Sequence, residues 1–295
     1  MQNVSKLLLD QSPRQVWRFL VKKLRLRKPL DAFDDQHPCV FVLSTGRTGT
    51  ETIAALFTLA RNVVSLHEPS PKMYEISRLA YEYSADALAR RLLSASFASL
   101  RSELLNTSLS YGLGYVESSP QVTFLAPAIL EKYPMARFIH LVRDPRDVVR
   151  SGMRRKWYDG HPSDATRIVP VHTSQDRQRW NEYNPFQKNL WLWAETNRWI
   201  LEFTSRLPPE TVLRVCSEDV FSGDEKTLHE LYRFIGSPLP RRRKISQLLG
   251  RKLNAQISGH FPASKLWSAE QKTDLLTIAG STAKELSYEL HRDNE

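Results

Sequence analysis

Two short runs carry side chains whose types and spacing suit chemistry. The first is Ser44-Thr45-Gly46-Arg47-Thr48-Gly49-Thr50. Gly46 and Gly49 let the backbone curl and approach a ligand closely. The hydroxyls of Ser44, Thr45, Thr48 and Thr50 stand beside the free N–H groups of a helix that is about to begin, and Arg47 adds a fixed positive charge. Such a turn suits a phosphate-like anion. A nucleoside-triphosphate loop would end in Gly-Lys-[Ser/Thr], which is absent, so an anion is expected here and ATP is not. The second run is His67-Glu68-Pro69, where a short apolar stretch, Val63-Val64-Ser65-Leu66, ends. If that stretch is a strand of an open α/β sheet, His67 and Glu68 sit at the carboxyl edge where ligands bind.

The elements needed to position these residues can be read around them. Cys39-Val40-Phe41-Val42-Leu43 is continuously apolar without alternation, which suits a strand covered on both faces. Thr50 to Arg61 places Ile53, Leu56, Phe57 and Ala60 on one helical face. Further strands are expected at Tyr115-Val116-Glu117, Arg137 to Val142 and Thr211 to Cys216, with helices near 123–132, 186–203, 228–235 and 270–290. Asp144 is a suitable N-cap and Pro145 a suitable first residue for another helix carrying Val148, Val149 and Ser151. Strands alternating with helices are the signature of parallel βαβ units. The expected fold class is α/β, three layers around a central parallel sheet, with a P-loop-like turn after its first strand. Residues 72–106 are helical in pattern but carry no chemical motif. From Trp157 to Pro185 the regularity disappears, and a long aromatic-rich loop in a compact domain is more often functional than idle.

Charge narrows the partners. The 42 Lys and Arg against 32 Asp and Glu give +10, which favours a polyanion: nucleic acid, an anionic membrane or a phosphorylated nucleotide. A nucleic-acid module would want aromatics interleaved with a basic stripe. The basic clusters lie instead in the first 28 residues and near Arg241-Arg242-Arg243-Lys244, so no nucleic acid is expected. Residues 1–28 read either as a basic amphipathic helix lying on an anionic membrane surface or as an ordinary packed helix. We divide the chain into this N-terminal segment, 1–37, and a globular domain, 38–295. No run approaches the ~18 apolar residues of a membrane span, and Met1-Gln2-Asn3-Val4 does not open a secretory signal. Cys39 and Cys216 lie in apolar runs and read as small buried hydrophobes rather than a disulfide. The expected location is cytoplasmic, with peripheral membrane contact through the basic segment. The histidines and cysteines lack metal-ligand spacing, and no metal is expected.

The turn taken with Phe138 to Ser151, read as strand, Arg143, Asp-Pro, helix and Ser151, closely resembles the nucleotide-binding signature of the sulfotransferases that use 3′-phosphoadenosine 5′-phosphosulfate (PAPS). Val212 to Asp219 followed by Phe234-Ile235-Gly236 is similar to a further segment of that family. The resemblance spans roughly residues 38–290. It implies a sulfotransferase moving a sulfuryl group from PAPS to a hydroxyl or amine acceptor without a metal. It also implies that Ser44, Thr45, Gly46, Arg47, Thr48, Gly49 and Thr50 grip the 5′-phosphosulfate, that Arg143 and Ser151 hold the 3′-phosphate, and that Arg251 and Lys252 contribute to the latter. Ser151 lies about two helical turns beyond Arg143, so both can face one phosphate. The competing reading pairs Arg143 with Asp144 or Asp147. Arg47 stands where many relatives have Lys; it can clamp a leaving oxygen but cannot release a proton. Glu68 is the first candidate for general base, His67 the second and Glu117 the third. The adenine-stacking Trp of the family is replaced by Glu51-Thr52. Two other functions compete: a small-molecule kinase, which lacks its Lys and its magnesium-binding Asp, and a non-catalytic nucleotide- or nucleic-acid-binding protein. For the acceptor, aromatics in the 157–185 loop favour a carbohydrate or glycolipid over a hydrophobic alcohol or phenol.

Overall fold

The computed structural model describes residues 33–171, 176–250 and 259–290. The basic segment 1–28, and Arg251 and Lys252, lie outside the described residues. Strands β1 (Cys39–Leu43), β2 (Val63–His67), β3 (Gly114–Ser118), β4 (Arg137–Val142) and β5 (Val212–Cys216) form one parallel sheet in the order β2-β3-β1-β4-β5. The central β1 pairs with β3 on one side and β4 on the other, so Val42 stands beside Ser118 and Ile139. Strand order reverses around β1, and the crevice beyond its carboxyl end is where an open α/β sheet receives its ligand.

All five residues of β1 are buried because each face of the sheet is covered. Cys39, Phe41 and Leu43 join one core with Tyr115 and Phe138, while Val40 and Val42 join another with Val116 and Ile139. Helices α1 (Thr50–Phe57), α2 (Tyr74–Glu82), α3 (Ala87–Ser110), α4 (Ala126–Lys132), α5 (Pro145–Arg154), α6 (Pro185–Thr204), α7 (Ser217–Ser222), α8 (Glu225–Phe234) and α9 (Arg242–Leu249) complete the layers. Phe97 of α3, Ile129 of α4 and Leu192 of α6 bury against the first face. Ile53 and Phe57 of α1, Leu231 of α8 and Ile245 of α9 bury against the second. The three-layer α/β architecture is therefore as expected.

Three helices differ from expectation. The one expected over Thr50 to Arg61 ends at Phe57. The one expected near Thr123 begins at Ala126, because the Thr123 hydroxyl is spent on the first turn: it donates to Ser44 O and accepts from Ser44 N, each at 3.0 Å. The terminal helix expected over 270–290 runs from Ala269 to Glu285 and contains a π-helical turn at Leu275–Ala279, with Leu275 and Ala279 buried against Phe186, Leu190 and Trp193 of α6. Among the described residues no helix is long and apolar enough to cross a membrane, and both cysteines are free.

Candidate functional site

The turn after β1 is shaped by backbone that only a few residues tolerate. Gly46, Arg47 and Gly49 have φ of 78°, 59° and 89°. A Cβ at Gly49 would stand 2.5 Å from the Phe221 ring, and one at Gly46 would meet Pro120 at 3.3 Å. Gly49 caps α1 without any side-chain hydrogen bond, so the first N–H groups of the helix stay open to an anion. The outer side of the turn is held by hydroxyls: Ser118 Oγ donates to Thr50 O at 2.8 Å, and Ser217 Oγ donates to Thr48 O. Thr48 Oγ1 is buried and has no partner among the described residues. An orphaned hydroxyl costs about 1–3 kcal/mol, and an oxyanion seated in the turn would relieve it.

Arg47 is the centre of a small cationic group. Its Nε donates to Ser151 Oγ at 2.9 Å, and its carbonyl accepts from Arg143 Nη1 at 3.2 Å. Arg143, just before α5, and Ser151, within it, thus both converge on the turn residue. Arg143 also forms the alternative pair, with Asp147, at 2.7 Å; that contact is half-exposed, and it leaves the buried Nε of Arg143 without a partner. The guanidinium lies 5.4 Å from the centre of the Phe221 ring. Burial, reinforced by Arg155 and Arg143, lowers the Arg47 guanidinium to about 10, so it remains charged at neutral pH.

Glu68 closes β2 with φ of 42°. Tyr74 OH donates to its Oε2 at 3.0 Å, Gln121 Nε2 lies at 3.5 Å, and Lys72 Nζ at 3.8 Å. Burial and the Glu68 carboxylate push the Tyr74 phenol up to about 12, so it stays a donor. His67 Nδ1 lies 2.7 Å from Ser118 O, which fixes its proton there in the neutral ring and leaves Nε2 as the acceptor, 4.0 Å from Glu68 Oε1. Glu68, His67 and Ser44 to Arg47 line one cavity of about 320 Å³. Glu117 is elsewhere: fully buried, it receives Arg101 Nε at 2.7 Å, Arg101 Nη2 at 2.9 Å and Tyr115 OH at 2.7 Å. That carboxylate is part of the scaffold and does not line the cavity. A wider groove of about 1010 Å³, walled by Leu130, Trp199 and Phe203, shares no residue with the turn. No cluster of three or more His, Cys, Asp or Glu gathers as a metal site among the described residues.

The remaining wall comes from the irregular stretch. Asp164 organises it, accepting from Tyr158 N and Arg167 Nε through Oδ1 and from His161 N through Oδ2, at 2.9 to 3.0 Å. Trp157 carries Arg167 stacked 4.0 Å above its ring and comes within 3.7 Å of the Cβ position at Gly46. The other aromatics of the loop serve packing: Trp180 is buried between Tyr158 and Trp191, and Tyr158 OH is bonded to Ile168 O. Sequence reasoning marked this stretch as functional without singling out Arg167, and it passed over Arg155, which precedes the stretch. It gave no signal for Tyr74, Gln121, Arg101 or Thr196.

Residues 38–241 match the family model described as Sulfotransferase family. Among solved structures, the fold resembles the sulfotransferase domain from the curacin biosynthetic pathway, at 18% identity and TM-score 0.52 over 86% of this chain and 99% of that one. It also resembles the sulfotransferase domain of the Synechococcus olefin synthase, at 16% identity and TM-score 0.51 over 90% and 99% of the two chains. A Mycobacterium avium sulfotransferase gives 13% identity and TM-score 0.51 over 86% and 78%. No curated protein sequence matches the chain.

Proposed function

The chain belongs to the sulfotransferase family, whose members are enzymes of sulfuryl transfer, and we propose that it moves the sulfuryl group of PAPS to a hydroxyl or amine of a polar acceptor. The observation that carries this reading is that Glu68 and His67 line the same cavity as the anion-binding turn. The uncapped start of α1, the orphaned Thr48 hydroxyl and the spare Nε of Arg143 support a donor with two phosphate groups. In the proposed assignment the turn, Ser44 to Thr50, receives the 5′-phosphosulfate, and Arg143 and Ser151 receive the 3′-phosphate, with Arg251 and Lys252 as further candidates.

The acceptor oxygen or nitrogen attacks sulfur, the bond from sulfur to the bridging oxygen breaks, and that electron pair leaves with the 5′-phosphate. Glu68 takes the acceptor proton, and Arg47 stabilises the charge growing on the leaving oxygen. Arg47 cannot supply a proton at neutral pH, so it acts by charge alone. Tyr74 and Gln121 orient the Glu68 carboxylate. A carbohydrate or glycolipid acceptor is supported by the polar lining, which includes Ser77, Gln121, Ser163 and Thr166. The aromatics available to a sugar ring are Tyr74, Phe124 and Trp157 rather than the loop as a whole. Residues 1–28 are proposed as a peripheral membrane contact on the cytoplasmic side; removing them without loss of anionic liposome binding would refute that.

Thermal shift with 3′,5′-bisphosphoadenosine, ADP and 5′-AMP tests the donor assignment. At ~100 times its dissociation constant the bisphosphate should stabilise the chain by about 2.7 kcal/mol. Equal stabilisation by ADP would sink the roles given to Arg143 and Ser151.

A further inference from the structure

One wall of the cavity is basic. Arg155, His161 and Arg167 line it, whereas Glu68 is the one carboxylate among the lining residues. Arg78 also lines the cavity, but its guanidinium is committed to Glu82 at 3.1 Å and to Ala165 O at 2.6 Å. Arg167 is held firmly in place: Nε on Asp164, Nη2 at 3.3 Å from His161 Nδ1, and the plane stacked on Trp157. Three anchors on one side chain fix the direction of its remaining N–H groups, which is the preorganisation that recognition of a planar or tetrahedral oxyanion exploits.

A charge held this way is costly. The Arg167 side chain is 14% exposed, and its carboxylate partner is itself occupied by two backbone N–H groups. Burial lowers the Arg167 guanidinium below its ordinary range, which is the sign of a cation incompletely compensated by its neighbours. Arg155 adds positive potential to His161 and to Arg47. The donor does not account for Arg167, because the Trp157 ring lies against both Gly46 of the turn and Arg167, whereas Arg155 is near enough to Arg47 to act on donor and acceptor alike. Thr196, 2% exposed, also lines the cavity, and its buried Oγ1 has no partner among the described residues.

We propose that the acceptor is a small acidic molecule that offers its hydroxyl or amine to Glu68 and a carboxylate or phosphate to Arg155 and Arg167, with Thr196 bonding a further polar group. This rests on the sulfuryl-transfer reading of the same cavity. The cavity, about 320 Å³ and lined by the turn as well, leaves room for an acceptor moiety no larger than one sugar acid or sugar phosphate.

Matched acceptor pairs test it on the full chain with radiolabelled PAPS: 4-nitrophenyl glucuronide against the glucoside, and glucose 6-phosphate against glucose. The acidic member of at least one pair should be preferred by about tenfold or more in kcat/KM, and the two pairs distinguish carboxylate from phosphate. Arg167→Gln and Arg155→Gln should each raise KM for the acidic acceptor and leave that for the neutral one unchanged, while Arg167→Lys should restore part of the preference. Circular dichroism checks folding, and if Arg167→Gln is unfolded the comparison rests on Arg155→Gln and Arg167→Lys. Equal use of acidic and neutral partners, or a preference that survives both glutamine variants, overturns the proposal. If the bisphosphate stabilises the wild-type chain but no acidic member is sulfated or raises the melting temperature further, the acidic acceptor alone fails. If the bisphosphate does not bind and PAPS is never consumed, the sulfuryl-transfer reading fails with it.

Discussion

Arg47 Nε donates to Ser151 Oγ at 2.9 Å, tying the turn after β1 to the helix after β4. Both residues are assigned to the donor, so their substitutions should separate. Ser151→Ala removes one hydrogen bond to a charged ligand, which is worth about 1.5–3 kcal/mol, and should weaken bisphosphate binding by roughly ten- to hundredfold in calorimetry. Arg47→Met should instead lower kcat by about 10²–10³, since it removes charge stabilisation needed in the transition state. Unchanged bisphosphate affinity in Ser151→Ala would reduce Ser151 to a tether for Arg47.

Glu68→Gln keeps the shape of the side chain and the bond from Tyr74 but removes the proposed base. Turnover is expected to fall by about 10²–10⁴ with bisphosphate affinity intact. Near-normal turnover would transfer the role to His67, whose Nε2 is left as acceptor by the bond from Nδ1 to Ser118 O. His67→Asn made beside Glu68→Gln tells the two apart.

Arg101 links the scaffold to the proposed base, Glu68. While its Nε and Nη2 hold Glu117, Nη1 donates to Pro71 O at 2.9 Å and Nη2 reaches Pro69 O at 3.3 Å, fixing the segment that follows Glu68. Removing either partner strands a buried charge, at a cost of about 3–5 kcal/mol. Glu117→Gln should therefore lower the urea midpoint and, under conditions where the protein remains folded, reduce kcat more than bisphosphate affinity. Loss of stability with kcat unchanged would confine the pair to a structural role.

Most strands were readable because they are short, largely apolar runs, and those of β1 and β4 are nearly unbroken, as burial on both faces demands. The positions of the turn and of the His67-Glu68 pair were readable for a related reason: ligands of an open α/β sheet gather where such runs stop. Other parts depend on tertiary contacts with no local signature. Thr123 leaves its helix to bond Ser44, and Arg101 sits in the middle of α3 yet serves a loop 30 residues earlier. The basic wall of the cavity exists because Asp164 folds its own loop around Arg167 and Trp157 carries that guanidinium. Composition marked the stretch; only the folded loop shows which cations face inward.

His140 of β4 makes a prediction about acid stability. It is 1% exposed, and its Nε2 lies 2.9 Å from Asn197 Oδ1. Asn197 Nδ2 donates to Trp193 O at 2.8 Å, so the amide oxygen faces the ring and the Nε2 proton donates to it. Burial lowers the imidazole from 6.5 to about 4; Asn197 opposes the shift and Arg214 adds to it. The unfolded chain therefore binds a proton below pH ~6.5 that the folded chain refuses until pH ~4. The contribution to stability is fully present above the unfolded value and is lost as pH falls between the two, at about 1.4 kcal/mol per unit, or roughly 3 kcal/mol in all. Urea unfolding from pH 7.5 to 4 should show this decline in the wild type and a shallower one in His140→Gln, which retains a donor for Asn197. Parallel curves for the two proteins would mean that His140 does not titrate across this window.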